Sequence, residues 1–202
     1  TNEFFAPLER MLQDSPPVFI PGKFDDHGKW MDGWESQRRR DGGHDIAVIK
    51  LAAAGRILGF DVDTAHFAGN YAPACMIEAA WLPAGKDPDE ETSWVQILKH
   101  RPLGPDGHHY FQCSSYELWT HLRIHIFPDG GVARLRAFGV PELDTSADGQ
   151  EIDLVAALNG GRILAFSDAH YGDYNRLLSP GRGIKLGDGW ETRRRRAPGD
   201  DR

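Results

Sequence analysis

The segment Asp32-Gly33-Trp34-Glu35-Ser36-Gln37-Arg38-Arg39-Arg40 returns 156 positions later as Asp188-Gly189-Trp190-Glu191-Thr192-Arg193-Arg194-Arg195-Arg196. Between 32–45 and 188–201, nine of fourteen positions are identical, where average residue usage gives about one. Upstream, Asn2-Glu3-Phe4-Phe5-Ala6 corresponds loosely to Asp168-Ala169-His170-Tyr171-Gly172. A period this long is a domain rather than a solenoid module of roughly 20–50 residues. The expected organisation is a first copy over 1–160 and the start of a second over 161–202. A piece of about 40 residues is below the size that folds alone, so a protein with two tandem copies is expected, this chain ending inside the second.

Within the first copy the apolar residues repeat with the period of strands. In Arg56 to Thr64, Phe60, Val62 and Thr64 take one face and Asp61 and Asp63 the other, as a two-residue repeat requires. Thr120 to Phe127 alternates strictly, and the turn Pro128-Asp129-Gly130-Gly131 leads into Val132 to Phe138. That pattern predicts a hairpin, because Asp-Gly-Gly supplies positive φ cheaply. His44 to Leu51, Ala74 to Leu82, Trp94 to Leu98 and His108 to Cys113 are further strand candidates. Helix is scarce, with Phe4 to Leu12 and Asp153 to Leu158 the candidates. About seven short strands with turn punctuation predict an all-β fold, an antiparallel sandwich or jelly roll.

The charge balance narrows the partners. With 23 Lys+Arg against 30 Asp+Glu the net charge is −7, so no nucleic-acid partner is expected. No stretch of about 18 apolar residues runs uncharged, so no membrane span is expected. The N-terminus has neither the basic nor the apolar region of a secretory signal. Cys75 and Cys113 form no CxxC pair and read as free core thiols of a cytoplasmic protein.

Several residues can carry chemistry. His121, Arg123 and His125 share one face of their strand, and Arg134 and Arg136 share a face of the next. Such a face can clamp a carboxylate or simply be solvated. Asp63-Thr64-Ala65-His66-Phe67-Ala68-Gly69-Asn70 falls at a strand end, where loops gather. His66 there is an acid/base candidate or a structural histidine, with Asn70 tolerating a left-handed turn. A metal site is not expected. His108 and His109 are adjacent and point apart on a strand, and His121 and His125 stand roughly 13 Å apart. In the repeated segment Glu35 either pairs with Arg38 or Arg40 or faces a ligand, and Trp34 and Trp190 read as core anchors.

The long segments place the chain further. Asn2 to Ala6, Gly28-Lys29-Trp30-Met31-Asp32-Gly33-Trp34-Glu35, Asp61 to Asn70, Phe127 to Arg136 and the second Asp188 to Arg196 resemble the allantoicase family from end to end. The resemblance implies a tandem of two jelly-roll β-sandwich domains similar to galactose-binding modules, the second copy truncated here. It implies a hydrolase that converts allantoate to ureidoglycolate and urea in purine catabolism. The alternatives are a non-catalytic ligand-binding jelly roll and an inactive relative. This sequence departs from the family at Gly43-His44-Asp45-Ile46, where a Trp is expected after the Asp, and at Gly199-Asp200-Asp201-Arg202. Beside that reaction, Glu35, Asp63 and His66 are the expected acid/base groups. Arg123 or Arg136 is expected to hold the substrate carboxylate, Asn70 to donate to a ureido oxygen, and Arg38 and Glu191 to line the site. No cofactor is expected, and a homo-oligomer is.

Overall fold

The computed structural model describes residues 2–113, 115–142, 153–179, 182–194, 196 and 198. Among the described residues the regular elements are ten β-strands and four short 3-10 turns. Strands β1 (Phe24–Asp25) and β2 (Gly28–Lys29) form a small hairpin, and β3 (Trp34–Glu35) follows. Then come β4 (Asp45–Asp63), β5 (Ala74–Ala80), β6 (Val95–Pro102), β7 (His108–Gln112), β8 (Trp119–Phe127), β9 (Gly131–Val132) and β10 (Arg134–Pro141). The main sheet runs β10-β4-β8-β5-β6, with β7 also paired to β4.

The two apolar runs at 44–51 and 56–64 are one strand of 19 residues rather than two. Its first half pairs antiparallel with β8 (Asp45↔Ile126 to Lys50↔His121), and its far half pairs with β7 (Gly59↔Gln112 to Asp63↔His108). The register breaks between Lys50 and Gly55, a bulge or irregularity of the kind that bends a long strand. Inward side chains of β4, β5 and β8 (Ile49, Ile57, Phe60, Cys75, Ile77, Leu122, Ile124, Ile126) make the core with Trp34 and Val132 from the β3–β9 ribbon. An alternating face on each of two layers, closed on a shared core, is the antiparallel jelly-roll sandwich expected from the strand periods.

The predicted hairpin between 120–127 and 132–138 does not form. Strand β8 lies between β4 and β5, and β10 lies on the other side of β4. The Asp-Gly-Gly turn is instead a crossover: Gly131 donates to the Asn70 carbonyl at 2.7 Å, and Val132 pairs with Trp34. The expected helix at 4–12 is a 3-10 turn at Leu8–Leu12, and that at 153–158 a 3-10 turn at Ala157–Asn159. Both cysteines are free and buried, and burial pushes the Cys75 thiol up to about 12, making it unreactive. Among the described residues no helix is long and apolar enough to cross a membrane.

The chain divides into two compact units, residues 1–51 with 55–140, and 52–54 with 141–202. The second unit repeats three hydrogen bonds from the start of the first. In the first unit, Trp34 Nε1 donates to the Asn2 carbonyl (2.8 Å), the Gln37 amide to Asn2 Oδ1 (3.1 Å) and the Phe5 amide to the Glu35 carbonyl (3.2 Å). In the second, Trp190 Nε1 donates to the Asp168 carbonyl (2.6 Å), the Arg193 amide to Asp168 Oδ2 (2.9 Å) and the Tyr171 amide to the Glu191 carbonyl (3.1 Å). Each pair of residues is the pair the sequence repeat aligns. Arg195 and the departing residues 199–202 lie outside the described residues.

Candidate active site at a loop end of the first unit

Glu35 stands on β3 beside the buried Trp34, with only 9% of its surface exposed. Its Oε1 accepts from Asn70 Nδ2 at 2.7 Å. Burial pushes the Glu35 carboxyl above the ordinary glutamate range. The Asn70 bond and the Lys29 charge offset part of that rise, and Asp25 adds to it. Burial of this kind favours the protonated carboxyl, the form that a general acid needs. Of the two readings that the sequence leaves open for Glu35, the pairing with Arg38 or Arg40 is not formed. Those side chains are exposed, while Arg39 pairs with Asp41 and Asp45 at 2.8 Å each.

Asn70 is delivered by the turn 63–70. Asp63 Oδ1 accepts from the Ala65 amide (2.8 Å), and the Phe67 amide closes on the Thr64 carbonyl (3.0 Å). Thr64 Oγ1 donates to the Gly104 carbonyl at 2.8 Å. Phe67 is fully buried against Gly131, where a Cβ would overlap its ring. The left-handed residue is His66 (φ 69°), not Asn70. That strain is held by the His66 amide donating to Asp106 Oδ1 at 2.7 Å, and it turns the exposed imidazole outward. His66 Nε2 lies 3.2 Å from the Pro17 carbonyl, which can only accept, so that nitrogen is the donor. The Phe19 ring sits 5.9 Å from the imidazole, and Lys29 Nζ sits 4.3 Å from the Phe19 centroid.

Glu35, Asn70 and His66 therefore stand on one loop end, with Asp63 buried behind them as the clamp of their turn. The other expected residues go elsewhere. Arg123 Nε and Nη2 bind Glu78 Oε2 at 2.7 and 2.5 Å, with the guanidinium over the Trp94 ring. Arg136 donates to the carbonyls of Gln13, Asp14 and Ser15. Arg38 is exposed in the first unit, and Glu191 is exposed in the second. The fully buried Arg134 binds Asp32 Oδ2 at 2.8 Å and the carbonyls of Arg10, Ser15, Asp32 and Ala133. It ties the N-terminal segment to the strand that carries Glu35.

Two titratable groupings were not legible in the sequence. His108 Nδ1 lies 2.9 Å from Asp61 Oδ2 and 3.9 Å from Asp63 Oδ2, and the Asp61 bond raises its pKa. On the sheet face, His44 Nε2 meets His125 Nδ1 at 2.8 Å, and His125 Nε2 meets Glu78 Oε2 at 2.8 Å. Burial lowers the His125 pKa despite Glu78. Both groupings join residues far apart in sequence, and no spacing rule finds them. Among the described residues no group of three or more His, Cys, Asp and Glu is arranged to hold a metal.

Fold and site together define a protein built from tandem β-sandwich repeats, with a buried acid, an amide donor and an imidazole at a loop end. The model of the allantoicase repeat matches residues 1–142 and 152–202. A probable allantoicase of Rhizobium meliloti is 61% identical over 202 residues, covering all of this chain and 58% of its own. One of Ralstonia nicotianae is 52% identical over 203 residues, with 100% and 60% coverage. The crystal structure of allantoicase from Saccharomyces cerevisiae is similar with a TM-score of 0.77 at 37% identity, over 98% of this chain and 60% of that one. The chain belongs to the allantoicase family. It spans about three-fifths of the length of these relatives.

Proposed function

We propose that the protein hydrolyses allantoate to ureidoglycolate and urea, with Glu35 as the group that moves the proton. The observation that carries this reading is the buried, Asn70-bonded carboxyl of Glu35 at the loop end of an allantoicase-family repeat. Allantoate bears a carboxylate and two ureido groups on one carbon. In this proposal, protonated Glu35 gives its proton to one ureido nitrogen as the carbon–nitrogen bond breaks and urea leaves. The second ureido nitrogen supplies electrons to form a carbon–nitrogen double bond. Water then adds to that carbon and returns a proton to the Glu35 carboxylate, giving ureidoglycolate. One carboxyl thus serves as acid and then as base.

Asn70 carries a second N–H beyond the one spent on Glu35, free to meet a ureido oxygen. The exposed His66 ring stands four residues before Asn70 on the same turn, within the set that would meet a ureido group. Asp63 holds the turn that places both. The substrate is a small anion, and nucleic acid and membrane play no part in the proposal. A homo-oligomer in the cytoplasm completes it, and light scattering of the purified protein checks the assembly state. The decisive experiment is urea release from allantoate by the full-length protein and its Glu35→Gln variant. Release by the first and its collapse in the second support the reading, and a folded wild type that releases no urea overturns it.

A further inference from the structure

A substrate with a carboxylate needs a cation at the site, and three of the arginines that could have supplied one are committed. Arg123 is bound to Glu78, Arg134 to Asp32, and Arg136 to three backbone carbonyls. Lys29 is differently placed. It ends the β1–β2 hairpin, is exposed, and has no carboxylate ion-paired to it among the described residues. Its ammonium is held 4.3 Å from the Phe19 centroid, and the same ring stands 5.9 Å from the His66 imidazole. Its charge offsets a small part of the rise in the Glu35 pKa, behind burial, the Asn70 bond and Asp25. A second observation is independent of this geometry. Lys29 precedes Asp32-Gly33-Trp34-Glu35 by three residues, and Lys185 precedes Asp188-Gly189-Trp190-Glu191 by the same spacing.

We propose that Lys29 binds the carboxylate of the substrate and so selects α-carboxylated ureides over neutral ones. The proposal rests on the functional reading above. An ammonium resting on an aromatic face keeps its hydrogens for a ligand, and part of the cost of ordering its stem is already met. The contact is made equally in ground and transition states, so its loss weakens binding rather than chemistry.

The test compares the full-length protein with Lys29→Met and Lys29→Arg in urea release from allantoate, with unchanged melting temperature as the check on folding. Lys29→Met is expected to raise KM about ten- to hundredfold, the value of a charge-assisted contact, with kcat within about threefold. Lys29→Arg is expected to restore most of the affinity. An unchanged KM in Lys29→Met, or a loss confined to kcat, overturns the assignment while leaving the enzyme reading in place. If the wild type releases no urea, calorimetric titration with allantoate decides. Binding that Lys29→Met weakens by the same factor supports the assignment, and equal or absent binding in both overturns it.

Discussion

Glu35 answers to two opposed demands, since the burial that suits it to proton transfer also makes its ionisation costly to the fold. Its folded pKa is raised, so the native state binds the proton more tightly than the unfolded chain does. Stability is therefore greatest at low pH on this account, and falls as pH rises from the unfolded pKa through the folded one. Glu35→Gln removes that dependence. Its melting temperature should match the wild type near pH 4 and exceed it at pH 8, while kcat falls about 10²- to 10⁴-fold. Thermal melts across pH with parallel urea assays check both halves. A Glu35 paired with Arg38 or Arg40, the alternative that the neighbouring basic run leaves open, gives the opposite pH trend. His108 has the opposite charge type. Its pKa is raised by Asp61, so the stability it contributes is present below its ordinary value of 6.5 and lost as pH rises through the folded value. His108→Gln should lower the melting temperature at pH 5.5 and leave it unchanged at pH 9. With the ring about half exposed (52%), the effect is under about 1 kcal/mol.

At the scale of elements, the alternation of apolar residues made most strands visible, because each half-buried strand shows its own period. Phe60, Val62, Leu122 and Ile124 face the core as that period requires. What alternation does not encode is the partner. The Asp-Gly-Gly turn carries local hairpin chemistry, yet Gly131 is claimed by the Asn70 carbonyl and by the Phe67 ring, contacts about sixty residues distant in sequence. The runs at 44–51 and 56–64 read as separate strands, yet the backbone continues between them because both halves of β4 have long-range partners. The geometry of the candidate site was legible where residues neighbour in sequence, as in the turn 63–70, and illegible where distant arginines are spent on Glu78 or on carbonyls. Arg134 is the sharpest case: the sequence places it with Arg136, but it is fully buried on Asp32 and four carbonyls. Arg134→Met leaves Asp32 buried and unpaired and should cost about 3–5 kcal/mol in denaturant unfolding. The double variant Arg134→Met with Asp32→Leu should cost less than the sum of the singles, since neither then leaves a lone buried charge.

At the scale of the molecule, the repeat is conserved in hydrogen bonding more closely than in burial. Trp34 and Trp190 make the same Nε1 bond to the carbonyl of the aligned residue, Asn2 or Asp168. Trp34 is fully buried in the core of its unit, whereas Trp190 is half-buried in its own. The two copies thus separate the value of the local motif from the value of the core it anchors. Replacing each Trp by Phe removes the indole donor in both places. In the first unit the substitution also opens a void among tightly packed side chains, and in the second it does not. Trp34→Phe should therefore destabilise by about 2–4 kcal/mol and Trp190→Phe by about 0.5–1.5 kcal/mol in denaturant unfolding. The two motifs share no bonded partner, so the losses in the double variant should add within about 0.5 kcal/mol. Equal losses for the two Trp residues would mean that the indole hydrogen bond, and not the packing of Trp34 against β4, β5 and β8, dominates how each copy of the repeat is anchored.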